Sequence, residues 1–463
     1  MKLIPLITCI GFLAFGTPLF GQGAPEPYSM KEAIAYAQQK SISIQQANLD
    51  LARAKQQVRE YTSIGLPQVN GKIEYNYNIN LPTQYLPDFI TPAVVGTLEG
   101  FQLVPPGTTA GLPEGEPQAA QFGVKNSLTM GASVNQLIFD GSYFVGLKAA
   151  KGLVEMTQKQ TQLSKYDIEY NVKKSYLTVL IAEENKKVLL RNIENLEKLY
   201  LETKAYYENG FTELLDVDRL DLSLANLKSE ANMVDRQVEL AYNVLKFQMN
   251  YPLEEPIALT DSLASLMTEP NVEDLTGAIN LDNRWELKIM KQNEYLNELN
   301  VQRYKMGYAP SLSAFFVHQY QLQRNDLFDT NEGKFTPITI VGASLNVPIF
   351  DGFNKDAKIK MAKIDQSKIS LQIKQFKLAT ELQVTNARAI YNNAKQRLDN
   401  QSKNLKLAER ILNTTKIKYR EGIGSSMEIS TAEQELYRTQ SNYLNALYDV
   451  VIAIADLDKA LGK

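Results

Sequence analysis

Between Phe353 and Glu421 the chain runs for 69 residues without a glycine or a proline. These are the two residues that end or kink helices, so the stretch is expected to form one helix. At ~1.5 Å per residue it would reach about 100 Å. No compact globular core can enclose such a rod, and its apolar surface needs partners along its whole length. The pattern supplies a seam for them. Tyr391, Leu398, Leu405, Leu412 and Tyr419 recur every seven residues, and Ala387, Ala394 and Ala408 lie four residues before three of them. This spacing predicts coiled-coil packing, with the alanines allowing close approach of backbones. Val179, Ile193, Tyr200 and Tyr207 give a shorter echo, interrupted by Lys186.

The long helices are expected to end at glycine turns, the common C-terminal cap. One is Asn209-Gly210-Phe211-Thr212, closing a helix that starts near Ser142; the other is Glu421-Gly422-Ile423-Gly424. A shorter helix runs back from each, over Leu214–Met249 and Ser426–Leu461. Two further helices precede prolines: Ser29–Ile64 before Pro67, opened by the capping box Ser29-Met30-Lys31-Glu32, and Asn283–Met306 before Pro310.

The chain is also written twice. Gly131-Ala132-Ser133-Val134-Asn135-Gln136-Leu137-Ile138-Phe139-Asp140-Gly141 recurs as Gly342-Ala343-Ser344-Leu345-Asn346-Val347-Pro348-Ile349-Phe350-Asp351-Gly352, with eight of eleven positions identical at an offset of 211. Tyr207-Glu208-Asn209-Gly210 returns as Tyr419-Arg420-Glu421-Gly422 at an offset of 212. Two matches at nearly one offset predict a duplication. The expected organisation is a first structural repeat over 22–250, an equatorial connector over 251–281 and a second repeat over 282–463.

Each repeat carries period-two segments. Ile73, Tyr75, Tyr77 and Ile79 alternate with polar residues; so do Leu128 through Ile138, and Val341 through Ile349. Leu312–Gln321 is strand-like with poorer alternation. A strand of about ten residues, tilted near 40°, crosses a ~25 Å hydrocarbon layer. Pattern alone also allows a half-buried sheet on a soluble core. Four strands cannot close, since the smallest outer-membrane barrels have about eight, and open edges are not tolerated in lipid. If these strands face lipid, several chains must share one barrel. The first hairpin loop, Leu81–Asn126, is long and proline-rich, and its counterpart Leu322–Pro337 is short.

Lys2, the apolar run Leu3–Phe15 and the small residues up to Gly21 read as a signal peptide over 1–21. The single cysteine, Cys9, lies inside it, so the mature chain is expected to hold no thiol or disulfide. Without Lys2, 48 basic residues face 52 acidic ones, a net charge of −4, with no excess to hold nucleic acid. No cofactor or metal site is expected, and no catalytic constellation. His318 is alone in a strand. Asp140-Gly141 and Asp351-Gly352 read as strand-to-helix turns rather than metal ligands.

Several motifs resemble those of TolC-type outer membrane efflux proteins. They are Ser29-Met30-Lys31-Glu32-Ala33-Ile34 with Gly65-Leu66-Pro67, then Asn283-Arg284-Trp285-Glu286-Leu287 with Gly307-Tyr308-Ala309-Pro310-Ser311-Leu312, and Tyr419-x-x-Gly422 followed by Met427-Glu428. The resemblance covers nearly all of the mature chain. It implies a mainly α fold with a β-barrel portion: long α-helical coiled-coil hairpins form a periplasmic tunnel, and four transmembrane β-strands per chain close a twelve-stranded barrel as a homotrimer in outer-membrane lipid. It also implies a non-enzymatic duct for efflux or type I secretion, working with a periplasmic adaptor protein and an inner-membrane transporter. The gate and docking surface would lie at the helix tips: Tyr207, Gly210, Phe211, Leu214, Leu215, Tyr419, Gly422, Ile423 and Met427. Some relatives close the tip with acids one to two turns before the tyrosine-glycine turn; Asn413 and Lys416 occupy that stretch here. The competing reading of the helices is a periplasmic coiled-coil adaptor or scaffold, which has no need of four membrane-sized strands.

Overall fold

A computed structural model describes residues 26–86, 90–111, 117–266 and 270–463. The expected signal segment 1–21 lies outside them. In chain order the elements are β1 (Glu26–Tyr28), α1 (Met30–Lys40), α2 (Ile42–Ile64), β2 (Gln68–Tyr77), β3 (Thr83–Leu86), α3 (Ile90–Gly100), β4 (Gln118–Gln121), β5 (Asn126–Phe139), α4 (Gly141–Glu208), α5 (Leu214–Met249), β6 (Ile257–Leu259), α6 (Leu263–Leu266), α7 (Val272–Thr276), α8 (Trp285–Met306), β7 (Ser311–Arg324), β8 (Thr336–Asn346), α9 (Asn354–Arg420) and α10 (Ser426–Leu461). The fold is mostly helical. It divides into two units, one of Lys55–Leu153 with Tyr295–Gln366 and one of Met1–Ala54, Val154–Glu294 and Ser367–Lys463.

The first of these units holds a four-stranded antiparallel sheet in the order β2-β5-β7-β8. Ile73 pairs with Met130, Met130 with Tyr320, and His318 with both Ala132 and Thr339. The register therefore gathers Val69, Ile73, Tyr75, Leu128, Met130, Val134, Phe316, Tyr320, Val341 and Leu345 on one face. The other face carries Gln68, Asn70, Lys72, Glu74, Ser127, Thr129, Ser133, Gln319 and Gln321. Most of the apolar face is uncovered: Ile73, Val69, Val341 and Leu345 are all exposed. β2 and β8 each have one unpaired edge among the described strands. Thus β7, the segment of poorer alternation, is a central strand. Its second face carries Phe315 and Val317 among glutamines, which blurs the period.

Two strand-to-helix turns start the long helices. Asp140 accepts a hydrogen bond from the Tyr143 amide at 3.0 Å, and Asp351 from the Lys355 amide at 3.0 Å. Both carboxylates satisfy amides at a helix N-terminus, where a negative charge is also favoured. His318 hydrogen-bonds Thr339 across the sheet at 2.8 Å and packs edge-on against Tyr320.

The second unit is helical apart from the short parallel pair β1–β6. Ala33, Ala37, Val172, Tyr176, Val179, Leu245 and Met249 make one core, in which the Tyr176 hydroxyl donates to the Tyr28 carbonyl at 2.9 Å. The seam of α9 is buried as its spacing requires: Ala387, Tyr391, Ala394, Ala408 and Leu412 all pack against α10 or its neighbours. One expectation needs correction. The helix read as continuous from Ser29 to Ile64 breaks at Ser41, which leaves the helical region at ψ 127°. The break frees the Lys40 carbonyl, which accepts from the side-chain amides of Asn250 and Gln45 at 3.0 and 3.2 Å. No glycine or proline marks it, and a residue 210 positions away shares the freed acceptor.

Candidate functional site

The two helix tips are built alike. After α4, Gly210 takes φ +80°, the Gly210 amide donates to the Tyr207 carbonyl at 2.9 Å, and the Phe211 amide donates to the Tyr206 carbonyl at 2.9 Å. After α9, Gly422 takes φ +75°, with its amide on the Tyr419 carbonyl at 3.0 Å and the Ile423 amide on the Lys418 carbonyl at 3.0 Å. A bond from the second residue past the cap back over five residues marks a Schellman-type stop, and it needs a residue that tolerates positive φ. Both chains then turn back at once into α5 and α10.

The structure places Phe211 and Ile423 at the extremes of these turns, 80% and 77% exposed. Leu214, Leu215 and Met427 are exposed in the first turns of the return helices, and Tyr207 is exposed at the end of α4. Tyr419 is half-buried, and its hydroxyl lies 3.5 Å from that of the buried Thr203.

Several polar links join one hairpin to the other, and the sequence reading named none of them. The Ser426 hydroxyl donates to the Asp216 carboxylate. Asp216 also accepts from the Thr212 hydroxyl at 2.6 Å, and Arg219 stands 3.8 Å away. Burial works against a charged Asp216. The hydrogen bonds from Ser426, Thr212 and the Glu213 backbone, with the nearby Arg219, outweigh it and hold the carboxyl below its ordinary 3.8. Farther out, Arg420 pairs with Glu202 at 3.3 Å. These partners are about 210 residues apart in sequence. No local periodicity could have announced them.

Above the second tip sits a buried ion pair. Glu433 on α10 is 2% exposed, the only buried acidic residue among the described residues, and Lys416 on α9 approaches one of its oxygens to 3.2 Å. Neither carboxylate oxygen has an aligned hydrogen bond. Burial pushes the Glu433 carboxyl above its ordinary 4.5 despite Lys416, and it pushes the neighbouring Tyr437 phenol up as well. Between the return helices runs an open groove lined by Ser223, Asn226, Glu230, Gln434, Arg438 and Asn442. Among the described residues no group of three or more His, Cys, Asp or Glu could hold a metal ion, and no helix is long and apolar enough to cross a membrane.

The chain matches the model of the outer membrane efflux protein family over residues 33–250 and 281–463. It belongs to that family. This efflux protein is 21% identical over 339 residues to the outer membrane protein TolC of Vibrio cholerae, covering 72% of this chain and 76% of that one. Its fold matches the crystal structure of CusC with a TM-score of 0.71 at 17% identity, covering 96% of this chain and 95% of that one. It also matches the CmeC outer membrane channel of Campylobacter jejuni, with a TM-score of 0.69 at 15% identity over 94% and 85% of the two chains. The efflux protein is thus an outer-membrane protein with a TolC-like helical fold, which disfavours the adaptor reading.

Proposed function

We propose that three copies of this chain form a passive export duct, each giving β2, β5, β7 and β8 to a twelve-stranded barrel and its helices to a periplasmic tunnel. One observation carries this reading: the sheet is open at both edges while its apolar face is bare. In lipid each unpaired backbone group costs several kcal/mol, so β2 and β8 must find strands. Sister copies supply strands of the right length and alternation. The helices support the same assembly. α5 carries a second apolar stripe, Leu215, Leu222, Met233, Leu240 and Phe247, and α9 carries Leu371, Leu378 and Leu382, all exposed in a single chain. Each such side chain contributes about 1.5–3 kcal/mol when covered.

The duplicated sequence gives each chain two hairpin tips, joined by the connector over 251–281. The tips are the gate. Tyr207, Gly210, Phe211, Leu214 and Leu215 form one, and Tyr419, Gly422, Ile423 and Met427 form the other. Asp216–Ser426 and Glu202–Arg420 hold the two hairpins together in the closed state. A periplasmic adaptor lays its helices into the groove between α5 and α10, separates the hairpins and opens the duct. An inner-membrane transporter drives cargo, small molecules or proteins, through it.

The test uses Phe211→Cys with Ile423→Cys in outer-membrane vesicles and in cells. Crosslinking the tips of neighbouring copies should stop export without releasing the protein from the outer membrane. Undiminished export in a fully crosslinked sample, or recovery of the protein as a soluble periplasmic monomer, would refute the reading.

A further inference from the structure

The loop between β2 and β5 is itself folded. Asn78 donates to the Lys125 carbonyl at 2.7 Å, and β3 pairs with β4, so the barrel hairpin is prolonged rather than frayed. On this base stands α3, closed by Glu99, which accepts from the Thr108 amide at 2.6 Å and from the Thr109 hydroxyl at 2.5 Å. The one acid of the helix is thereby used inside the loop. Ile90 and Val94 lie on one face of α3, Phe101 continues that face in the turn just past its end with its amide on the Thr97 carbonyl at 3.1 Å, and all three are exposed. Leu103 beyond them is 70% exposed.

An apolar, uncharged helix face needs a cover, and charge narrows what that cover is. From residue 73 to residue 124 the chain contains no lysine or arginine. Helices that lie on a lipid surface carry cations for its anionic headgroups. This loop has none to offer to lipid phosphates. Its base is β2, an open-edged strand, which in the proposed assembly must pair with β8 of the next copy. Each loop therefore stands at a boundary between copies, flanked by the short β7–β8 loops, and only the equivalent loops of sister copies are long enough to meet it over the mouth.

We propose that the α3 faces of neighbouring copies pack on one another and form an apolar cap over the external mouth of the duct. The proposal rests on the trimer reading, goes beyond it, and separates from it experimentally. Long loops belong on the outer side of such barrels, and an apolar cap bars water and hydrophilic solutes from the mouth until cargo arriving from below displaces it.

The experiment uses full-length protein in intact cells, in which the mature chain is expected to have no other cysteine. Val94→Cys, and separately Ile90→Cys with Phe101→Cys to allow a head-to-tail contact, are oxidised at the cell surface. The trimer is read on unheated SDS gels and covalent linkage on heated, non-reducing ones. The expected result is linked dimers of this chain that thiol reduction reverses, from a sample that runs as a trimer unheated. An intact unheated trimer with only monomer after heating overturns the cap and leaves the trimer standing. Linkage to a different protein overturns it too. Loss of the unheated trimer in the unsubstituted protein overturns both.

Discussion

Asp216 in the first turn of α5 accepts a hydrogen bond from Ser426, the first residue of α10. The contact ties one helical hairpin to the other at the place where both turn back. A charge-assisted bond of this kind is worth about 1.5–3 kcal/mol, and Thr212 and Arg219 share its carboxylate. Asp216→Ala is therefore expected to loosen the tips by about 2 kcal/mol, and Ser426→Ala by about 1 kcal/mol. Conductance of single trimers in planar bilayers reads this directly: both variants should open more often, Asp216→Ala the more. The carboxyl is held below 3.8, so its contribution is complete above that pH and fades only as pH falls through the lower folded value. Acid opening near pH 5 would not come from this contact.

Glu433 titrates in the opposite sense. Its carboxyl is raised by burial, so ionisation costs the hairpin stability. The cost is absent below the ordinary 4.5 and complete once pH exceeds the folded value. Amide exchange over 405–440, corrected for its intrinsic pH dependence, should be slower at pH 5 than at pH 8, and Glu433→Gln should remove the difference. Lys416→Met leaves the acid buried alone and is expected to cost about 3 kcal/mol. Replacing both residues by leucine should be neutral or stabilising.

Two glycines in neighbouring strands test the sheet. A Cβ at Gly131 would fall 2.4 Å from the Gln319 Cβ and 2.6 Å from the His318 carbonyl oxygen, which is backbone and cannot turn away. At Gly71 it would meet nothing within 4 Å. Gly131→Ala is expected to cost about 1–3 kcal/mol by overpacking the β5–β7 pair and to lower the temperature at which the proposed trimer dissociates on SDS gels. Gly71→Ala, which meets no atom of its own chain, should lower it less.

The bare stripe of α5 makes a prediction about assembly. Leu240→Glu places a charge where a sister helix is expected, and Met233→Glu does the same two turns earlier. Either should leave the helix content seen by circular dichroism intact while reducing the trimer on unheated gels at least tenfold. An unreduced trimer from both would mean that this stripe faces water or another partner.

The helical parts of this fold were open to reading because their signals are local. The return helices match Leu214–Met249 and Ser426–Leu461, since a glycine turn, a cap and a continuous apolar period bound each of them. The heptad at Tyr391, Ala394, Ala408 and Leu412 foretold which side of α9 is buried. What stayed hidden depends on distant partners. Ser41 breaks a helix although no glycine or proline lies between Ser29 and Ile64. Asp216, Ser426, Glu202 and Arg420 meet only because two hairpins end side by side. Glu433 looks, in sequence, like one more polar residue on an amphipathic helix; only the packing of α9 on α10 shows it buried. The apolar helix in the proline-rich loop escaped for another reason: Pro92 at its start and Gly96 within it argued for irregular chain.

The central claim is that β2 of one copy pairs with β8 of the next. Asn70→Cys is combined in turn with Ile338→Cys, Ile340→Cys, Gly342→Cys and Ser344→Cys, so that the register between copies need not be known, and each variant is oxidised in the outer membrane. One of these combinations should yield covalent dimers and closed trimers on heated, non-reducing gels. Monomers from all four, in protein that still resides in the outer membrane, would contradict a barrel shared between copies.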